Sequence, residues 1–143
     1  MWRTIGSIIA GLVAWAVVVN LLNFGLRAGI PGYHAAEATL QFTLAMKAGR
    51  LTEAALSSFA AGAVVSLIEP SKRWAPWVVG LIILAMFLPV HVSLWSKFPI
   101  WYHLAFLVPL APLVALGGSI VTRSGIANPA AKREARVQTE SRA

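Results

Sequence analysis

The amino-acid sequence predicts an all-α integral membrane protein: a four-helix up-down bundle with an additional amphipathic helix between the first and second crossings. Three observations support this fold class. Of 143 residues, 58% are apolar and only 12% are charged, whereas soluble domains have about 45–50% and about 25%. Mean hydropathy is +0.73. Four apolar stretches are long enough to span roughly 30 Å of hydrocarbon, and polar turns separate them.

The first crossing covers about residues 4–26, which are apolar apart from Asn20 and Asn23. Residues 14–16 (Ala-Trp-Ala) loosely resemble a signal-peptide cleavage site. The apolar stretch continues beyond them, so we expect a retained helix rather than a secretory leader. Asn20 and Asn23 lie three residues apart and share a helix face. Because amides inside a membrane usually face protein, we expect them to make interhelical hydrogen bonds.

Residues 33–68 contain no proline and consist mostly of good helix formers, but about 35 residues are too many for one simple span. Two interpretations remain open. Residues 33–48 form a separate interfacial amphipathic helix, or they extend the second crossing as one long tilted helix. In both, residues 51–68 are the second crossing. Glu53 then lies in its first turn, where a carboxylate suits the helix dipole.

A stripe of small residues recurs every four positions along the second crossing. Its members are Ala54, Ser58, Gly62 and Ser66. Small residues allow close approach of helix backbones in a membrane, which predicts that this helix is the inner one of the bundle. The same stripe would also suit a homodimer, but we favour packing within the chain.

The third and fourth crossings cover about residues 76–95 and 100–121, joined by a tight turn at residues 96–99. Pro89, Pro109 and Pro112 lie inside them, where prolines are tolerated if neighbours satisfy the freed carbonyls. Residues 123–143 form a basic tail that we expect to be disordered and cytoplasmic.

The distribution of Lys and Arg predicts the orientation of the four crossings. One side carries eight of the twelve: Arg3, Lys72, Arg73, Arg123, Lys132, Arg133, Arg136 and Arg142. The other carries four: Arg27, Lys47, Arg50 and Lys97. Positive charge collects on the cytoplasmic side, so both termini should be cytoplasmic and the turn at residues 96–99 should face outward.

All three histidines fall on the predicted outer side. With the nearby carboxylate, the candidate metal ligands are His34, Glu37, His91 and His103. Imidazole and carboxylate groups bind zinc, copper and non-haem iron. Two other interpretations remain. The histidines form a pH-sensitive polar cluster, or they are polar caps at the membrane boundary beside Trp95, Trp101 and Tyr102.

Several function classes are excluded or disfavoured by composition. The chain has no cysteine, which excludes disulfides, thiolate metal sites and thiol nucleophiles. It contains no aspartate, and we expect no carboxylate in the middle of a crossing, which argues against proton-coupled export. No serine nucleophile elbow and no phosphate-binding glycine loop is present. The net charge of +7 is better explained by anionic lipid than by nucleic acid.

These observations favour a non-enzymatic accessory or oligomerising membrane component without a cofactor. Its partners would be the lipid bilayer and either a second copy or another membrane protein. A small transporter or permease is the first alternative. An outward-facing metal- or haem-binding redox component that uses the histidines is the second.

Two segments carry a resemblance to a known group of proteins. They are F-L-P-V-H-x-x-L-W at residues 87–95 and F-P-I-W-Y-H-L-A-F-L-V-P-L at residues 98–110. The chain resembles small uncharacterised bacterial inner-membrane proteins of similar length with four predicted helices. The resemblance implies a bacterial inner-membrane location and four crossings. It implies no activity, cofactor or catalytic residue.

Overall fold

The computed structural model describes residues 1–126 and residue 140, and these residues contain helices, turns and loops but no strand. The helices are α1 (Trp2–Gly29), α2 (Tyr33–Thr39), α3 (Leu44–Ile68), α4 (Ala75–Ser93) and α5 (Ile100–Arg123). All but α2 are long and apolar enough to cross a membrane. The predicted fold class is therefore confirmed. Most of the predicted disordered tail, residues 127–139 and 141–143, lies outside the described part.

The boundary between α2 and α3 differs from both interpretations of residues 33–68. Helix α2 stops at Thr39, and Leu40 adopts the left-handed conformation with φ +59°. Helix α3 begins at Leu44 because the Thr43 side chain accepts a hydrogen bond from the amide of Met46, which caps the helix. The second crossing thus begins seven residues earlier than predicted, and the connecting helix is shorter.

Helix α3 is the inner helix of the bundle, since it packs against α1, α4 and α5. Helix α4 also packs against α1 and against α5. The Arg3 side chain donates to the carbonyl of Ile68, which places the start of α1 beside the end of α3. We call this the basic end. The opposite end, with α2 and the turn at residues 94–99, is called the histidine end.

The small-residue stripe of α3 is buried against α5. A β-carbon added at Gly62 would overlap the carbonyl oxygen of Val114, and one at Gly117 would overlap the carbonyl oxygen of Phe59. The two backbones therefore touch directly. The Ser58 hydroxyl donates to the carbonyl of Ala54 and accepts a hydrogen bond at 3.4 Å from Nε1 of Trp15, so it also links α3 to α1.

The outward surface of the bundle is apolar. On α1, one exposed row repeats every four residues: Ile5, Ile9, Val13, Val17 and Leu21. Contiguous apolar surface of this length is unusual for a protein in water. It is the expected surface of a helix that faces lipid, which agrees with the four membrane-length helices.

Candidate functional site: a histidine pair beside a polar cavity

His91 and His103 form a buried pair at the histidine end. His91 lies in the last turn of α4 and His103 in the first turn of α5, and the turn between these helices brings the two rings together. Their Nδ1 atoms are 2.8 Å apart, and the two residues are 7% and 0% exposed. A contact this short is a hydrogen bond, so one Nδ1 carries a proton and the other accepts it. The two Nδ1 atoms cannot be protonated at the same time.

Aromatic rings enclose the pair. Trp95 stacks on His103 with ring centroids 4.7 Å apart and 15° between the planes. Phe106 lies 4.5 Å from His91, and Phe98 approaches His103 edge-on. Within this enclosure the Nε2 atom of His103 is buried and has no hydrogen-bond partner among the described residues. A buried polar atom without a partner is uncommon and costs about 1–3 kcal/mol.

A charged network lies beside the pair, centred on Glu37 of α2. Arg27 of α1 binds the Glu37 carboxylate at 2.7 Å, and the amide of Asn23 donates to its other oxygen at 3.3 Å. Arg50 of α3 lies 3.9 Å from the same carboxylate. Glu37 therefore links three helices at this end of the bundle.

Arg50 connects the charged network to the aromatic residues. Its Nη1 donates to the Tyr33 hydroxyl at 3.2 Å, and its Nε donates to the Tyr102 hydroxyl at 3.3 Å. Its guanidinium lies 4.9 Å from the centre of the Phe42 ring, a cation–π contact. Burial raises the pKa of the Tyr33 phenol although the charge of Arg50 opposes the shift, so Tyr33 stays protonated at neutral pH.

The pair and the network line a common cavity of about 280 Å³, which we call the histidine cavity. Arg27, Glu37, Arg50, His91 and His103 supply its polar groups, and phenylalanines supply much of its wall. A second cavity of about 230 Å³ is lined by Asn20, Asn23 and Glu53. The two cavities share three lining residues: Arg50, Phe87 and Phe106.

The four predicted metal ligands do not come together. Tyr33 and Ala36 set the buried face of α2, which leaves His34 exposed to the outside. Glu37 reaches the histidine cavity but is engaged by Arg27. Within residues 1–126 and residue 140, no three His, Cys, Asp or Glu side chains are placed to hold a metal ion. What the structure assembles from the predicted set is the His91–His103 pair.

Asn20 and Asn23 were both expected to make hydrogen bonds between helices, but only one of the two expectations is met among the described residues. Asn23 does so, through Glu37 of α2. Asn20 instead donates to the carbonyl of Ala16 in its own helix. Both line the second cavity, so they share a face as their spacing predicts.

One prediction about charge is wrong. Because α3 begins at Leu44, Glu53 lies in its tenth position instead of its first turn, and it is only 7% exposed. A carboxylate is therefore buried within a membrane-length helix. The same shift places Arg50 inside the bundle. The sequence predicts Arg50 only as one of the four basic residues on the outer side. The available signal was Thr43, a good N-cap residue seven positions before Arg50.

Comparisons of the chain with protein-family models, with curated proteins and with solved structures found no match.

Proposed function

We propose that the chain is a non-enzymatic, multi-pass protein of the bacterial inner membrane that binds a small molecule in the histidine cavity. The observation that carries this proposal is the convergence of Arg27, Arg50, Glu37 and the His91–His103 pair on one cavity of about 280 Å³. Binding sites are typically concave, with apolar walls and a few convergent polar groups. The histidine cavity combines phenylalanine walls with a polar surface of similar extent.

Self-association is less well supported by the same structure. The small-residue stripe that favoured a homodimer is buried against α5, where Gly62 and Gly117 allow the backbones to touch. It therefore offers no free surface to a second copy. A haem-binding role is also less well supported, because a cavity of about 280 Å³ is too small for a porphyrin.

Purified protein should carry a small molecule that depends on the histidine pair. We expect native mass spectrometry of the chain in its own membrane lipids to detect a bound molecule in addition to lipid. The His91→Phe/His103→Phe double variant should lose it. Replacing both partners of a buried hydrogen bond by apolar rings is close to neutral for folding. Ser93→Ala is the control, because this exposed hydroxyl donates to the carbonyl of Val90 and lines neither cavity. Equal retention by both variants would contradict the proposal.

We propose further that both termini are cytoplasmic and that the histidine end faces outward. The basic end carries Arg3, Lys72, Arg73 and Arg123, and four more basic residues follow Arg123 in the sequence. The histidine end carries four: Arg27, Lys47, Arg50 and Lys97. The positive-inside rule therefore places the basic end in the cytoplasm.

Single cysteines test this orientation cleanly because the chain has none of its own. In intact cells, a membrane-impermeant maleimide should label Ser96→Cys in the outer turn. It should leave Ser71→Cys, in the turn between α3 and α4, unlabelled until the cells are lysed. Both positions are exposed, so access of the reagent is matched. The reverse labelling pattern would show the opposite orientation and would contradict this proposal.

A small transporter is the second candidate, and the buried carboxylate of Glu53 is the observation that favours it. Exporters driven by protons use a membrane-embedded carboxylate of this kind. Proton-driven flux in proteoliposomes that is abolished by Glu53→Gln would favour transport over simple binding. Absence of flux for the molecule that copurifies would leave binding as the function.

A further inference from the structure

We infer that the basic end of the bundle holds a second binding site, which takes a phosphate group such as that of an anionic lipid headgroup. The site is a cavity of about 180 Å³ between α3, α4 and α5, which we call the basic cavity. It lies at the opposite end of the bundle from the histidine cavity, so it does not depend on the proposed function. The polar residues that line it are Ser66, Arg73, Ser119, Thr122 and Arg123.

The basic cavity carries positive charge without a counter-charge in its lining. Arg73 and Arg123 line it, and no Asp or Glu is among the described residues that do so. Unlike the arginines of the histidine cavity, neither makes an ion pair or a side-chain hydrogen bond with another described residue. Glu69, a carboxylate at this end, accepts a hydrogen bond from the Ser71 hydroxyl and does not line the cavity. Two unpaired cations beside one small cavity repel each other, and a bound anion removes this repulsion.

A buried hydroxyl in the basic cavity also lacks a partner. Ser66 is only 3% exposed, yet its hydroxyl makes no hydrogen bond with another described residue. The other buried serines of α3, Ser57 and Ser58, each donate to the carbonyl four residues earlier. Among the described residues, Nε2 of His103 is the one fully enclosed side-chain polar atom without a partner, so the Ser66 oxygen is open to the cavity that it lines. Because buried polar groups are normally hydrogen-bonded, this hydroxyl points to a ligand oxygen.

The donors of the basic cavity suit a phosphate group. A guanidinium presents a planar fork of N–H groups that can bind two phosphate oxygens at once. Arg73 precedes α4, Arg123 ends α5 and Ser66 belongs to α3, so the donors come from three different elements. A tetrahedral phosphate offers oxygens in several directions, whereas a planar carboxylate offers only two. A cavity of about 150 Å³ holds benzene, so about 180 Å³ is large enough for a phosphate group.

The basic cavity also lies at the depth of lipid phosphates. Helix α4 is long and apolar enough to cross the membrane, and it begins at Ala75. Trp77, in its first turn, lines the cavity and is 48% exposed. Tryptophan is typical of the boundary between membrane and water. A lipid whose acyl chains lie along the bundle can therefore place its phosphate between Arg73 and Arg123. A free phosphate ion has the same chemistry, and the experiment separates the two sources.

Binding of a short-chain phosphatidylglycerol to the full chain tests the site. In neutral detergent, which offers no anionic surface, we expect native mass spectrometry to show saturable binding of this lipid. The apparent Kd should be about tenfold weaker in Arg73→Gln and in Arg123→Gln, as expected for the loss of a charge-assisted hydrogen bond. Ser66→Ala changes no charge and should weaken binding about threefold. Lys72→Gln is the matched control and should bind like the wild type, because Lys72 is an exposed cation beside Arg73 that does not line the cavity.

Competition by inorganic phosphate identifies the source of the ligand. Lipid binding that resists inorganic phosphate assigns the site to a lipid headgroup. Displacement by inorganic phosphate that is weakened in the same variants assigns it to the free ion, and both results support a phosphate site. Both arginines are exposed, so the variants should fold, which their melting temperatures without lipid verify.

Three results would overturn the inference. Equal weakening in Lys72→Gln and Arg73→Gln would mean a diffuse attraction between charges. Wild-type affinity in both arginine variants would remove the basic cavity as the place of binding. Absence of saturable binding for both the lipid and inorganic phosphate would remove the site altogether, and the histidine cavity would be unaffected by any of these results.

Discussion

Gly62→Leu is expected to prevent the native packing of α3 against α5. Even a β-carbon at this position overlaps the carbonyl oxygen of Val114, and that atom belongs to a backbone that cannot rotate away. Overpacking of a core typically costs about 1–3 kcal/mol and occasionally more. A full leucine side chain against rigid backbone should exceed the upper value, and Gly62→Ala should fall within the range. Thermal unfolding of purified protein in detergent measures both.

Matched controls exist in α1. Gly6 and Gly25 are helical glycines at which an added β-carbon meets nothing within 4 Å. Gly25→Ala and Gly6→Ala should leave the melting temperature unchanged or raise it slightly, because alanine is the better helix former. If Gly62→Leu unfolds at the same temperature as these controls, the result would contradict the direct backbone contact between α3 and α5.

Arg50→Leu is expected to be the second most damaging change. It removes both bonds to the tyrosines and takes away a cation near Glu37 and the buried Glu53. Loss of one member of a buried charged network typically costs about 3–5 kcal/mol. Arg50 is about one-third exposed, so we expect about 2 kcal/mol in the free energy of unfolding.

Arg50→Lys separates charge from geometry. Lysine keeps the positive charge but cannot hold two phenols at fixed angles as the guanidinium does. It should therefore recover only part of the loss. Lys97→Leu is the matched control, since Lys97 is an exposed cation at the same end of the bundle. A melting temperature for Arg50→Leu equal to that of Lys97→Leu would show that the Arg50 network contributes nothing to stability.

The global fold could be predicted from the sequence because it depends on quantities that the sequence contains directly. The length of an apolar run determines whether a helix can span the hydrocarbon, and the four runs correspond to α1, α3, α4 and α5. The inner position of α3 follows from the stripe that includes Ser58 and Gly62, since only small side chains permit close backbones.

The candidate site was only partly predictable because it depends on local geometry. His91 and His103 lie symmetrically about Lys97, which predicts similar depth in a hairpin. Their 2.8 Å contact, however, requires the particular turn between α4 and α5. The role of Arg50 depends on where α3 begins. That start is set by one capping hydroxyl, Thr43, and by a left-handed residue, Leu40, which periodicity does not reveal.

The position of His34 shows the same limit. Its spacing from Glu37 predicts a shared helix face, yet Glu37 reaches the cavity and His34 is exposed. In a helix of only seven residues, the packing of Tyr33 and Ala36 against the bundle decides which side faces inward. Sequence spacing alone does not contain that information.

The hydrogen bond between the two imidazoles is the central structural claim, and nitrogen NMR of the chain with ¹⁵N-labelled histidine tests it most directly. We expect a scalar coupling between Nδ1 of His91 and Nδ1 of His103, transmitted through the shared proton and absent from the exposed ring of His34. The coupling should disappear in His103→Phe. Three uncoupled imidazoles would contradict the buried pair and, with it, the proposed binding site.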